Sequence, residues 1–129
     1  MRKICLKIAG VLNLITALTH LVAGQMDLVN PLSNSSLNVQ QKAEWIGVWH
    51  VVTIFLLFTS YLFIRAGFFE VNTSNAQPLK PFAALYILMG LPFIVSSIYF
   101  SVLAPQWILL MPIGVLLIIG LRKLEKNAK

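Results

Sequence analysis

Four long apolar runs, separated by short polar segments, dominate this sequence of 129 residues. A helix needs about 20 predominantly apolar residues to cross the hydrocarbon core of a bilayer. The runs cover approximately residues 5–24, 44–65, 82–103 and 107–121, and the connections between them are too short for a separate domain. The pattern therefore predicts an all-α integral membrane protein, with residues 1–129 forming a single domain built as a four-transmembrane-helix bundle in a lipid bilayer.

The amino-acid composition excludes an ordinary soluble domain. Hydrophobic residues make up 58% of the chain, charged residues 11%, and the mean hydropathy is +0.83. Soluble domains have roughly 45–50% apolar and about 25% charged residues. The composition thus supports the same membrane class as the four apolar runs.

The basic residues are distributed unequally between the two ends of the predicted helices. The net charge of +6 would indicate a nucleic-acid partner only if the basic residues formed one surface patch. Instead, nine of the ten fall on one side of the membrane once four spans are drawn, and only Lys42 falls on the other. This positive-inside pattern predicts cytoplasmic termini, a cytoplasmic 67–81 loop, an external 25–43 loop and no nucleic-acid partner.

Polar and small residues follow one face of each of the first two runs. On the first run, spacings of three and four residues join Asn13, Thr16, His20, Gly24 and Asp27. On the second run, similar spacings join Gly47, His50, Thr53, Leu57 and Tyr61. Residues at these spacings share one side of a helix, and polar side chains in a membrane face protein or water and not lipid. We therefore predict that the first two helices pack through these faces.

The two histidines are predicted to lie at similar depth. His20 is 13 residues from Lys7, and His50 is 15 residues from Arg65, so at 1.5 Å per residue their depths differ by only about 3 Å. We expect a shared site near the outer leaflet. Its candidate ligand-binding residues are His20, His50, Thr16, Thr53, Asp27 and Glu44, and its candidate metal ligands are His20, His50 and Met111.

Several chemistries fit such a site. Two imidazoles on neighbouring helices can ligate haem b axially. Two imidazoles and a thioether suit copper, whereas zinc would need a further ligand such as Asp27 or Glu44. The histidines can also relay protons or bind a small substrate. The simpler alternative is that they only fix helix packing, through hydrogen bonds to each other, to Thr16 and Thr53, or to the backbone.

Three functions are open at this point. The leading hypothesis is a binding or transport-type membrane protein that assembles as a homo-oligomer or with a membrane partner subunit, because oligomerisation would shield the polar stripes. The second is a structural or accessory subunit without a ligand. The third is a small membrane enzyme acting on a lipid or quinone, with a histidine and Glu44 or Asp27 as acid and base. The sequence contains no GxSxG, HExxH, Walker A, GxGxxG or CxxC motif, so no catalytic motif supports the third.

Three stretches carry a family resemblance: HLVAGQMDLVNPL, AEWIGVWHVVT and PQWILLMPIG. They resemble those of small four-helix bacterial inner-membrane proteins of unknown function, and the similarity spans most of the chain. The resemblance implies a bacterial inner membrane. It implies no role for any single residue, since that family has no settled activity.

Overall fold

Four long α-helices make up most of the described chain. A computed structural model describes residues 2–69 and 77–126, and it assigns no β-strand within those two ranges. In chain order the helices are α1 (Arg2–Gly24), α2 (Val39–Ile64), α3 (Lys80–Phe100) and α4 (Gln106–Lys126). The prediction of an all-α chain with four helices is confirmed.

Three helical stretches are long and apolar enough to cross a membrane. They are Ile4–Ser33, Val39–Phe69 and Lys80–Phe100, and the apolar part of α4, Gln106–Arg122, is shorter. At 1.5 Å per residue this last stretch extends about 26 Å, slightly less than the roughly 30 Å of a hydrocarbon core. Length and composition thus support a membrane protein.

The first connection is shorter than the sequence predicts. The chain continues from α1 through a π-helix, Gln25–Val29, and one α-helical turn, Asn30–Ser33, where the polar segment 25–43 was predicted to be a loop. Helix α2 then begins at Val39, five residues before the predicted boundary, because Asn38 caps it. The Asn38 side chain accepts a hydrogen bond from the Gln41 backbone N–H at 2.9 Å, and the Gln41 side chain accepts one from the Asn38 N–H at 3.2 Å. This reciprocal capping box satisfies two amides at the helix start.

Helix α2 also continues into a π-helix, Arg65–Phe69. A short 3₁₀ helix, Gln77–Leu79, precedes α3. The middle of the predicted cytoplasmic loop, residues 70–76, lies outside the described residues.

Helix α3 ends at Phe100, three residues before the predicted boundary. Ser101 takes a left-handed backbone conformation with φ 54°, and the Val102 N–H then bonds the Ser97 carbonyl at 3.1 Å. This is the Schellman arrangement that closes a helix C-terminus. The Ser97 hydroxyl also accepts a hydrogen bond from the Ala104 N–H at 2.9 Å. Ser97 therefore accepts hydrogen bonds from two backbone amides of the turn, those of Val102 and Ala104. Helices α3 and α4 pack against each other after it, as a hairpin requires.

Helix α1 lies at the centre of the packing. It contacts both α2 and α4, and α4 contacts α3, so the predicted contact between the first two helices is confirmed. The α1 and α2 backbones come very close at Gly10, where an added Cβ would lie 2.8 Å from the Ile64 backbone nitrogen. The π-helix that continues α2 also comes close to α1, at Gly67, where a Cβ would lie 2.8 Å from the Lys7 backbone nitrogen. Small residues permit such approaches between membrane helices.

The interior between the helices is apolar with a few buried polar groups. The fully or almost fully buried apolar side chains include Leu6, Ala9, Ala17, Leu56, Phe63, Ala83, Ile113 and Leu117.

Candidate functional site

His20 is a half-buried residue of α1 that contacts α2. Its ring stacks on the Trp49 indole with centroids 3.7 Å apart and planes 14° apart. Its Nε2 atom lies 3.3 Å from the Trp49 carbonyl oxygen. Gly24, one turn further along α1, makes room for the indole, since an added Cβ would overlap the Trp49 ring. Two residues of the predicted polar face of α1, His20 and Gly24, therefore contact Trp49 of α2.

The hydrogen bond of His20 determines which of its ring nitrogens carries the proton. A carbonyl oxygen only accepts, so the proton of the bond sits on Nε2, and in the neutral ring Nδ1 is left as an acceptor. Thr53 donates to the same Trp49 carbonyl at 3.1 Å. Metal-ligating histidines commonly donate their other ring N–H to a backbone carbonyl, so Nδ1 of His20 remains capable of ligation.

The structure gives His50 a different environment. His20 is half-buried, whereas His50 is exposed on the surface of the single chain. Gly47, one turn earlier, is also exposed, and a Cβ added there would meet no atom within 4 Å. The residues predicted to share one face of α2 therefore have different environments. Thr53 is buried against protein, whereas His50 and Gly47 are exposed.

The remaining predicted site residues are dispersed. Asp27 and Glu44 are exposed, and Glu44 accepts a hydrogen bond from the Gln40 side chain at 2.6 Å. Thr16 is buried but donates to the Leu12 carbonyl of its own helix at 2.8 Å. Met111 lies against Gly90, between α3 and α4. Within residues 2–69 and 77–126, no group of three or more His, Cys, Asp or Glu side chains is placed to hold a metal ion.

A buried polar cluster joins three helices, and the sequence analysis identified only one of its members. The Asn13 side chain of α1 donates to Thr59 Oγ1 at 3.0 Å and to the Leu56 carbonyl at 3.2 Å. The Tyr86 hydroxyl of α3 donates to Asn13 Oδ1 at 2.8 Å and meets the Thr59 hydroxyl at 2.5 Å. Asn13, Thr59 and Tyr86 are each 0% exposed. We call these three residues the polar cluster.

A depth count would have found the polar cluster. Asn13 lies six residues from Lys7, Thr59 six from Arg65, and Tyr86 six from Lys80. Each is therefore about 9 Å along its helix from a basic residue at one end of the spans. Thr59 and Tyr86 carry no charge at neutral pH, so a search for ionisable residues in the spans does not select them.

The Trp49 indole nitrogen is the one buried side-chain polar atom of the described chain that has no hydrogen-bond partner. The indole is therefore held by stacking on His20 and by contact with Gly24. Its own N–H makes no hydrogen bond within residues 2–69 and 77–126.

Comparison of this chain with protein-family models, with curated proteins and with solved structures finds no match.

Proposed function

We propose that this protein is a multi-pass membrane subunit that works by associating, through an exposed face of α2, with a second copy of itself. The observation that carries the proposal is the exposure of His50 on the surface of the single chain, in a helix long and apolar enough to cross a membrane. Trp45 and Arg65 are 20 residues apart, which is about the 30 Å of a hydrocarbon core. His50 lies five residues inside this stretch, so an isolated chain would present its imidazole to lipid, which is costly.

The exposed face has the spacing of a helix–helix contact. Steps of four and three residues join its members, all of them exposed: Ala43, Gly47, His50, Ile54, Leu57 and Tyr61. We call these residues the α2 seam. A repeat of 3.5 residues is typical of left-handed helix pairs, and the small residues at its outer end favour close approach in a membrane.

Two-fold symmetry accounts for the position of His50. In a symmetric dimer the same patch of both subunits meets across the axis. Two α2 seams packed in this way bring His50 near His50 of the second copy, and both imidazoles leave the lipid. A role as an associating subunit requires no ligand, because His20 and the polar cluster already have hydrogen-bond partners within one chain.

Ligand binding at the same seam is the second candidate function. Two imidazoles from two copies can ligate haem b, or a metal ion together with further ligands. This keeps the bis-histidine chemistry predicted from the sequence but draws both imidazoles from His50. His20 then serves helix packing, through Trp49.

The basic asymmetry supports the orientation. Lys7, Arg65, Lys80 and Arg122 flank the four helices on the side that carries nine of the ten basic residues. By the positive-inside rule this side is cytoplasmic, so His20 and His50 belong to the outer leaflet. The resemblance stated above suggests a bacterial inner membrane.

Disulfide cross-linking tests the α2 seam. In a Cys5→Ser background, Gly47→Cys and Ile54→Cys should each give an oxidised dimer in membranes. Val48→Cys is the matched control, because Val48 is 56% exposed and lies on a different side of α2. Equal cross-linking at all three positions, or none at Gly47 and Ile54, would contradict the seam.

Metal and haem analysis of the purified dimer separates the two candidates. If a ligand is bound, His50→Ala should remove it while His20→Ala retains it. If the wild type carries neither metal nor haem and still cross-links at the seam, the subunit function stands without a ligand.

A further inference from the structure

A shallow, open groove runs along one exposed face of α1, beginning at a lysine. It has a volume of about 330 Å³ and is lined by Lys7, Ile8, Val11, Leu12 and Ile15. Apart from the Lys7 side chain, its walls are aliphatic. From Lys7 to Ile15 the groove follows eight residues of helix, or about 12 Å, directed from one end of the span towards its middle.

Lys7 lines one end of this groove. Its Nζ lies 4.7 Å from the centre of the Phe68 ring, a cation–π distance. The ring attracts the positive charge without accepting all of its hydrogen bonds, because an ammonium has three donors. The apolar groove therefore has a lysine, with ammonium donors to spare, at one end.

The charge around this end of the groove has one sign along α1. Arg2 and Lys3 precede Lys7, and the first acidic residue of the sequence is Asp27, 20 residues further on. At about 1.5 Å per residue, that carboxylate is at the opposite end of the span. An occupant of the groove thus meets the Lys7 side chain at one end and aliphatic side chains along the rest of its length.

We propose that this groove binds an anionic phospholipid, with the phosphate at Lys7 and one acyl chain along Ile8, Val11, Leu12 and Ile15. Charge complementarity selects the headgroup, and the aliphatic walls select the chain. Basic residues next to a membrane span attract anionic lipids. The proposal does not depend on the α2 seam, which lies on a different helix.

Photo-cross-linking with lipids of defined charge tests the site. The full chain in vesicles of phosphatidylcholine receives a trace of phosphatidylglycerol, or of phosphatidylcholine, carrying a diazirine on one acyl chain. After illumination, adducts are mapped by mass spectrometry. We expect phosphatidylglycerol to label residues 8–15 more strongly than phosphatidylcholine, and Lys7→Gln to reduce that labelling by about fivefold, given the contribution of one lysine near a membrane surface.

Two further variants sharpen the result. Lys42→Gln removes the same charge from the opposite end of the helices and should leave the labelling unchanged. Val11→Trp should fill the groove and reduce labelling by both lipids, and because Val11 is 45% exposed the interior packing should tolerate it. Retention of helical circular dichroism checks the fold of each variant.

Three outcomes would overturn the proposal. The first is equal labelling of residues 8–15 by both lipids. The second is labelling that Lys7→Gln does not change. The third is a loss of phosphatidylglycerol labelling in Lys42→Gln as large as in Lys7→Gln, which would make the effect one of net charge and not of a site at Lys7. A cross-link from this segment to a second copy of the chain would likewise show that protein, not lipid, fills the groove.

Discussion

At the scale of single residues, the polar cluster shows how this chain tolerates an amide in an apolar interior. Asn13 uses both of its side-chain atoms, donating from Nδ2 and accepting at Oδ1. An unsatisfied polar group away from water costs several kcal/mol, so partners from α2 and α3 are needed at the same depth. Thr59 and Tyr86 supply them. The cluster therefore specifies how three helices are placed around one amide.

Removing one hydroxyl should measure how much the polar cluster contributes to the free energy of unfolding. Tyr86→Phe keeps the ring, which contacts Phe55 and Phe63, but leaves Asn13 Oδ1 without its donor. We expect the free energy of unfolding to fall by about 1–2 kcal/mol, towards the upper end for hydrogen bonds between membrane helices. Denaturation in mixed detergent micelles measures it.

Tyr99→Phe is the matched control for this substitution. Tyr99 lies on the same helix and is 79% exposed, so loss of its hydroxyl should change stability by less than about 0.5 kcal/mol. Equal losses in the two variants would mean that the hydrogen bonds of Tyr86 add nothing to stability.

At the scale of the helices, glycines decide how closely α1 and α2 approach. An added Cβ at Gly10 would lie 2.8 Å from the Ile64 backbone nitrogen. It would lie 3.0 Å from both the Phe63 carbonyl carbon and a side-chain carbon of Ile64. Backbone atoms cannot rotate out of the way as the end of a long side chain can. A larger residue at this position must therefore shift one helix against the other.

Gly10→Ala should destabilise the contact between α1 and α2. We expect a loss of about 1–3 kcal/mol, the usual cost of forcing extra atoms into a packed contact. Gly47→Ala is the control, because a Cβ there meets open space and alanine favours a helix over glycine by about 0.5–1 kcal/mol. Both should be measured by unfolding in detergent that keeps the chain monomeric. A loss at Gly47, or none at Gly10, would contradict the close approach.

At the scale of the whole molecule, the positions of the basic residues predict the orientation in the membrane. Lys42 is the single basic residue near the first connection, and its Nζ donates to the Ser33 carbonyl at 2.9 Å. By their sequence positions the other nine basic residues are predicted to lie on the opposite side of the membrane. The positive-inside rule then predicts that the first connection is outside.

Cysteine labelling should test this orientation. In a Cys5→Ser background, we expect a membrane-impermeant maleimide added to intact cells to label Ser36→Cys, since Ser36 is exposed in the first connection. Ser74→Cys, in the part of the second connection that is not described, should be labelled only after the membrane is permeabilised. The reverse pattern would invert the protein and move both histidines to the cytoplasmic leaflet.

The sequence by itself determined the helical class and the position of the four helices. Length and hydropathy are properties of single segments, and a bilayer demands internally bonded apolar helices of about 20 residues. Helix ends were predicted less well, because they depend on local hydrogen bonds such as the Asn38 cap and the Ser97 turn. The spacing of polar residues predicted the contact between α1 and α2. It predicted the contact face of α2 wrongly, since of the five residues named for that face only Thr53 is buried.

Only the tertiary structure decided which polar residues meet. Matched depth made a contact between His20 and His50 geometrically reasonable, but depth does not fix the rotation of each helix about its own axis. That rotation depends on close packing at Gly10 and Gly67 and on the Trp49 indole filling the space beside Gly24. It turns His20 onto Trp49 and leaves His50 exposed. It also brings Thr59 and Tyr86 to Asn13. The three residues belong to three different helices, so their contact depends on how those helices pack.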